Sequence, residues 1–246
     1  GVADQIRDDL AKARRIAEPT VAVVQRLAET HKFTLNRQAS GLRRSRSGLI
    51  GMIIPMHDNR FFSEMSRAFE RLARERHWYP IVVSTLRDPT LELETVTTLL
   101  SYRIEQLIVT GATDPDSVGR ACRAHGVAHV NVDLPGTTAT SVVSDNYWGA
   151  QQLTRALIER STPLKRGARN RLYFVGGLAS DYATQRRVAG FADTVAARMG
   201  AAQPGQIDAC GYAGERAEAS VRALYDRLGG LPRGLFVNST IALEGV

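Results

Sequence analysis

From Leu49 onward, short runs of apolar and β-branched residues alternate with amphipathic stretches. The runs are Leu49-Ile50-Gly51-Met52-Ile53-Ile54, Ile81-Val82-Val83, Leu107-Ile108-Val109 and Val130-Asn131-Val132. Between them the 3.6-residue period predicts helices over 62–76, 90–102 and 114–125. Further strands are predicted at 141–144, 171–175 and 234–237, with helices over 147–160, 183–199 and 215–228. Strands spaced by one helix each form βαβ units, so the fold class is α/β with parallel sheets covered on both faces. Each strand runs into a polar or glycine-containing turn: 55–60, 84–89, 110–114, 133–136, 145–146 and 176–181. Ligands bind at the carboxyl ends of strands in such sheets, which makes these turns the candidate site.

Residues 1–48 read differently. Two short helical patterns, 4–13 and 18–31, precede Asn36–Arg46, whose only apolar residues are Ala39 and Leu42. A segment so polar has no core of its own and must remain extended or fold against a partner. Charge points to the partner. Of the chain's 32 Lys+Arg and 25 Asp+Glu, residues 1–48 hold ten and five, so +5 of the +7 net charge lies there. That asymmetry suggests a polyanion-binding head on a nearly neutral body, the alternative being a solvated basic face. The Pro-, Gly- and Arg-rich stretch 161–171 reads as a surface loop. Cys122 and Cys210 stand far apart without His or Cys at metal spacing, so neither a disulfide framework nor a zinc site is expected. With no span-length apolar run and no charged-then-apolar leader, the expectation is a soluble, cytoplasmic protein.

Ile16-Ala17-Glu18-Pro19-Thr20 and Phe33-Thr34-Leu35-Asn36-Arg37-Gln38-Ala39-Ser40-Gly41-Leu42-Arg43 resemble the third headpiece helix and hinge of the LacI/GalR family of bacterial transcription regulators. The resemblance continues through Ser47–Pro55, Asn59-Arg60-Phe61-Phe62, Val132-Asp133, Val143–Asn146, Gly176-Gly177, Arg187–Phe191 and Leu235–Asn238. The stretch from Leu231 to Val246 is similar to the fructose-repressor branch. The resemblance implies a headpiece and hinge over 1–47 and a two-lobed core like a periplasmic binding protein, with lobes at 48–143 and 144–246. It also implies that the chain starts inside the helix-turn-helix, at the turn before the recognition helix, and stops inside the second lobe. The expected partners are operator double-stranded DNA, bound as a homodimer or within a tetramer, and a small sugar, sugar acid or sugar phosphate as effector. No cofactor, metal, membrane or catalytic activity is expected.

The residues that would meet DNA under this resemblance are Gln5, Arg7 and Thr20 in the headpiece, and Asn36, Arg37, Ala39, Leu42 and Arg43 in the hinge. Asp8 and Asp9 depart from the usual pattern around the base-reading positions. Leu42 would wedge between base steps of the minor groove with Ala39 one turn earlier, while Asn36, Arg37 and Arg43 hold phosphates. For the effector, Phe61, Phe62 and Tyr212 offer flat surfaces to C–H faces, the alternative for each being ordinary core. Asp133 and Arg187, with Asn238 and Asp181, offer charged hydrogen-bond partners for hydroxyls.

Other function classes lack their parts. The chain has no GxSxG, Walker loop, GxGxxG after the first strand or HExxH. His125 and His129 are four apart, but Gly126-Val127 breaks the helix that would aim both at one metal. Asp145 reads equally as a helix N-cap and as a ligand contact. The alternatives carried forward are a stand-alone carbohydrate-binding protein of the periplasmic type and, behind it, an α/β enzyme acting on a sugar phosphate.

Overall fold

A computed structural model describes residues 18–31, 47–161 and 167–246. The chain divides into two compact units, Gly1–Gly48 and Leu49–Val246. In the first, helix α1 (Glu18–Thr30) covers the predicted 18–31 helix and carries Thr20 on an exposed position of its first turn. The helix expected over 4–13 and the hinge, with Gln5, Arg7, Asn36, Arg37, Ala39, Leu42 and Arg43, lie outside the described residues.

The second unit holds two α/β layers in sequence. Lobe one is a five-stranded parallel sheet of β1 (Leu49–Ile54), β2 (Tyr79–Ser84), β3 (Gln106–Thr110), β4 (Ala128–Val132) and β5 (Ser141–Val142), ordered β2-β1-β3-β4-β5. Alternation along β1 explains the layering. Ile53 faces one side, where Val96, Leu99 and Leu100 of α3 (Pro89–Ser101) and Val118 and Cys122 of α4 (Pro115–Ala124) close a core. Met52 and Ile54 face the other, against Phe62 and Phe69 of α2 (Arg60–Glu75). Side chains two apart share a face of a strand, so a strand buried on both faces is apolar throughout.

Lobe two centres on β6 (Leu172–Val175), flanked in parallel by β10 (Gly234–Val237) and β8 (Ile207–Asp208). Helices α5 (Asn146–Arg160) and α6 (Tyr182–Met199) cover one face, where the Phe174 and Phe236 rings stack at 4.9 Å with Phe191 tilted against both. Helices α7 (Gly214–Leu228) and α8 (Thr240–Glu244) cover the other. A small antiparallel pair, β7 (Gly177–Leu178) with β9 (Cys210–Gly211), sits at the carboxyl end of β6. Within this unit the predicted helices and the seven predicted strands are present, with ends moved by no more than two residues. The exceptions to the prediction are β7, β8, β9 and α8, which are too short to show a period. Among the described residues no helix is long and apolar enough to cross a membrane.

Candidate functional site

In lobe one the strand order reverses between β1 and β3, and in an α/β sheet the crevice beyond the strand ends at such a point is open to a ligand. A cavity of about 370 Å³ lies there, with walls from both lobes. Lobe one contributes Asn59, Phe61, Phe62, Arg87 and Asp133; lobe two contributes Arg187, Tyr212 and Asn238 among others. The volume is at the lower end of the roughly 300–1,000 Å³ usual for small-molecule sites, which suits a compact ligand.

Local chemistry positions each wall. Asn59 caps α2, its Oδ1 accepting from the Phe61 N–H at 2.9 Å, which sets the two phenylalanines at the mouth. Phe62 is buried while Phe61 is 46% exposed, their rings edge to face at 5.2 Å. Under Phe62 the chain passes Gly111, where φ is +55° and a Cβ would stand 2.8 Å from Pro55 Cγ, so only glycine fits there. Asp133 follows β4 with φ +70°, a left-handed conformation that costs a non-glycine residue about 1–2 kcal/mol and turns the side chain toward the cavity lining.

On lobe two, Arg187 lies one turn inside α6 and is half-buried. Its Nε donates to Asn146 Oδ1 at 2.8 Å and its Nη1 to the Asn238 carbonyl at 2.8 Å, tying the starts of α5 and α8 to α6. Asn238 itself is buried, with Nδ2 donating to Thr184 Oγ1. Gly177, with φ +82°, makes room for this contact, since a Cβ would run into Asn238 Nδ2 and Thr184 Oγ1. Tyr212 donates its hydroxyl to Asp181 and meets Thr184 Oγ1 at 3.1 Å.

The electrostatics are uneven. The Asp133 carboxylate accepts no hydrogen bond among the described residues, and its pKa is raised, first by burial and then by the Asp181 charge, against the smaller pull of Arg187 and Arg87. Burial, and next Asp181, push the Tyr212 phenol up to about 12, so its proton is firmly held. The result is a cavity with flat aromatic walls, an unsatisfied carboxylate, a donor-rich arginine and fixed amides.

The structure brings six of the seven sequence-predicted effector residues to this wall: Phe61, Phe62, Asp133, Arg187, Tyr212 and Asn238. Asp181 is not part of the lining; it stands behind Tyr212 and orients the phenol. Asp145 caps α5, accepting from the Trp148 N–H at 3.0 Å, which is the capping alternative. His125 ends α4 and His129 lies in β4, and no described cluster of His, Cys, Asp or Glu could hold a metal. Arg87 was missed. The signal was its place in the 84–89 strand-end turn, but nothing in the sequence distinguishes it from the other arginines. A larger hollow, about 790 Å³, lies between α3 and α4. Its buried charge, Glu92, is already satisfied by the Thr113 N–H at 2.9 and 2.8 Å, so nothing there waits for a ligand.

Residues 47–227 match the family described as periplasmic binding proteins and sugar binding domain of LacI family. The chain is similar to the ribitol operon repressor of Klebsiella aerogenes, 45% identical over 166 residues, covering 68% of this chain and 61% of that protein. It is 25% identical over 191 residues to the fructose operon regulatory protein of Vibrio cholerae, covering 76% and 56%. The chain thus spans less than two thirds of the length of these two relatives. Its fold is shared with the crystal structure of the Cra transcriptional dual regulator from Pseudomonas putida in complex with fructose 1-phosphate. That match has a TM-score of 0.70 and 23% identity, covering 81% of this chain and 72% of the other.

Proposed function

The chain belongs to the LacI family of periplasmic-binding-protein-like, sugar-binding domains, and from that premise we propose that it is an effector-responsive transcriptional repressor that binds a small sugar or sugar derivative between its two lobes. The observation that carries the reading is the interlobe cavity itself, in which Asp133 and Arg187 face two phenylalanines and Tyr212 at the strand ends. Carbohydrates need this mixture: apolar surfaces for C–H faces and charged partners for hydroxyls, because an unpaired buried hydroxyl costs about 1–3 kcal/mol. The relatives support regulation over catalysis, since both are named for the control of sugar operons.

Two copies would present two basic hinges to one operator. The second half-site contact then becomes intramolecular, and a change of lobe angle alters hinge spacing. In the hinge, Leu42 serves as the minor-groove wedge while Asn36, Arg37 and Arg43 hold phosphates; Gln5, Arg7 and Thr20 lie in the headpiece. The test is selection of a binding duplex from a random library, followed by fluorescence anisotropy with the protein and its Leu42→Ala variant. Expected are a palindromic selected sequence, affinity lowered more than tenfold by Leu42→Ala, and a sugar-dependent change in the parent's affinity. Failure to select any sequence would favour a stand-alone carbohydrate-binding protein.

A further inference from the structure

The cavity, read as the effector site, admits sugars, sugar acids or sugar phosphates on shape alone, but its charges do not treat them alike. Two guanidiniums line it, Arg87 and Arg187. Arg187 already gives its Nε to Asn146 and its Nη1 to the Asn238 carbonyl. At the start of α2 the Asn59 side chain already takes the Phe61 N–H. Among the described residues of the lining, Arg87 is then the cation with a buried donor to give, because its Nε is shielded from solvent and has no acceptor.

The backbone holds Arg87 for this purpose. Leu86 and Arg87 are consecutive left-handed residues, φ +54° and +57°, in the tight turn after β2. The turn is anchored on both sides: the Arg87 carbonyl accepts from Thr113 Oγ1 at 3.3 Å, and Asp88 caps α3 through the Thr90 and Leu91 N–H groups. From that anchor on lobe one the guanidinium crosses the cavity to lie over the Tyr212 ring of lobe two, with Cζ 4.9 Å from the centroid. Tyr212 is itself fixed by Asp181 and Thr184. The Arg87 side chain and the unpaired Asp133 carboxylate thus line the same cavity.

A phosphate brings up to two negative charges and three strong acceptor oxygens, and asks for several charge-assisted donors. Here it would meet the Arg87 guanidinium beside a bare, partly buried carboxylate that repels an anion. A hydroxylated carbon chain without charge fits both groups at once, because neighbouring O–H groups donate to the two Asp133 oxygens while a hydroxyl or carbonyl oxygen accepts from Arg87. We infer that Arg87 is the specificity-determining residue of this cavity and that, with Asp133, it selects an uncharged sugar or sugar alcohol against phosphorylated and acidic ones. The inference rests on the proposed reading of the cavity as a sugar site.

Isothermal titration calorimetry tests it on the purified protein with the five- and six-carbon alditols, aldoses and ketoses, each beside its terminal phosphate and its aldonic acid. At least one uncharged compound binds, and its phosphate and acid bind tenfold or more weaker. Arg87→Met keeps an unbranched stem over Tyr212 but removes the donor, and lowers affinity for that compound at least tenfold while circular dichroism reports an unchanged fold. A phosphate or acid that binds as tightly as its uncharged parent overturns the charge argument and leaves the sugar site standing. A folded Arg87→Met protein with parental affinity overturns the role of Arg87. Should no compound of any class bind, the sugar-site reading falls as well. The comparison of compounds on the unaltered protein decides the charge question even if Arg87→Met does not fold.

Discussion

Arg187→Ala separates a ligand contact from a structural tie. The side chain makes two hydrogen bonds of 2.8 Å, one to the buried Asn146 amide oxygen and one to the carbonyl of buried Asn238. Hydrogen bonds from a charged group contribute about 1.5–3 kcal/mol each, and a buried acceptor left alone costs about 1–3 kcal/mol. Arg187 is partly exposed, so solvent recovers part of the loss, leaving about 2–4 kcal/mol in total. For a unit of this size each kcal/mol moves the melting temperature by about 2–4 °C, so Arg187→Ala melts about 5–15 °C below the parent. The stabilisation by effector, about 2.7 kcal/mol at a hundredfold excess over Kd, disappears in the same variant. Arg187→Lys falls between, because one ammonium on a flexible stem cannot reproduce the forked geometry. Differential scanning fluorimetry with and without sugar reads both effects. A parental melting temperature for Arg187→Ala would refute the structural tie, and an intact sugar shift would remove Arg187 from the site.

Asp133→Asn has the opposite sign: it raises the melting temperature at neutral pH, because an unpaired and partly buried charge beside Asp181 is removed, yet it weakens binding of an uncharged sugar. The Asp133 pKa in the folded protein is raised, so its contribution to stability is present below the ordinary carboxylate range and is lost as pH rises through the raised value. Sugar hydroxyls donate to the charged form. Affinity for an uncharged sugar therefore increases as pH rises through that value, with protons released on binding, and Asp133→Asn removes the proton release; calorimetry in buffers of different ionisation heat detects it. Glu92→Ala strands the Thr113 and Asp114 N–H groups at the start of α4 and costs about 2–4 kcal/mol in urea unfolding, without changing sugar affinity. Gly190→Val forces a side chain against the Tyr147 carbonyl and Ala150 Cβ where α5 and α6 meet, and costs about 1–3 kcal/mol by the same measurement.

The sheets were legible because both of their faces are covered. Leu49–Ile54, Leu172–Val175 and Gly234–Val237 are apolar or glycine at every position. Two-residue strands such as β8 and β9 carry no period, and their pairing is set by β6 and β7 rather than by their own residues. The candidate site was legible where residues stand at strand ends, as Asp133 and Asn238 do, or where the family resemblance placed them, as with Arg187. Arg87 was not, because its selection depends on a left-handed turn that neither leucine nor arginine announces. Asp181 was assigned to the ligand because its type and its place before α6 suit a hydroxyl partner. Tyr212, 31 residues on in sequence, takes that carboxylate instead.

These contacts bear on how binding at the cavity could move two lobes. Arg187 is satisfied within lobe two, whereas Asp133 and the Arg87 Nε, both on lobe one, are not. Under the proposed reading, a ligand seated on Tyr212 and Asn238 would gain its new charge-assisted bonds from lobe one. Three such bonds, two to Asp133 and one from Arg87, amount to about 4–9 kcal/mol at about 1.5–3 kcal/mol each. Moving a two-state equilibrium from 1:99 to 99:1 requires a differential of about 5.5 kcal/mol, which lies within that range. A ligand bound through Arg187 alone would add nothing to closure, since those bonds exist without it. Under the proposed reading the unsatisfied groups on lobe one would couple occupancy to lobe angle, and the stacking of Arg87 on Tyr212, about 0.5–2 kcal/mol, is weak enough to leave the unliganded lobes responsive.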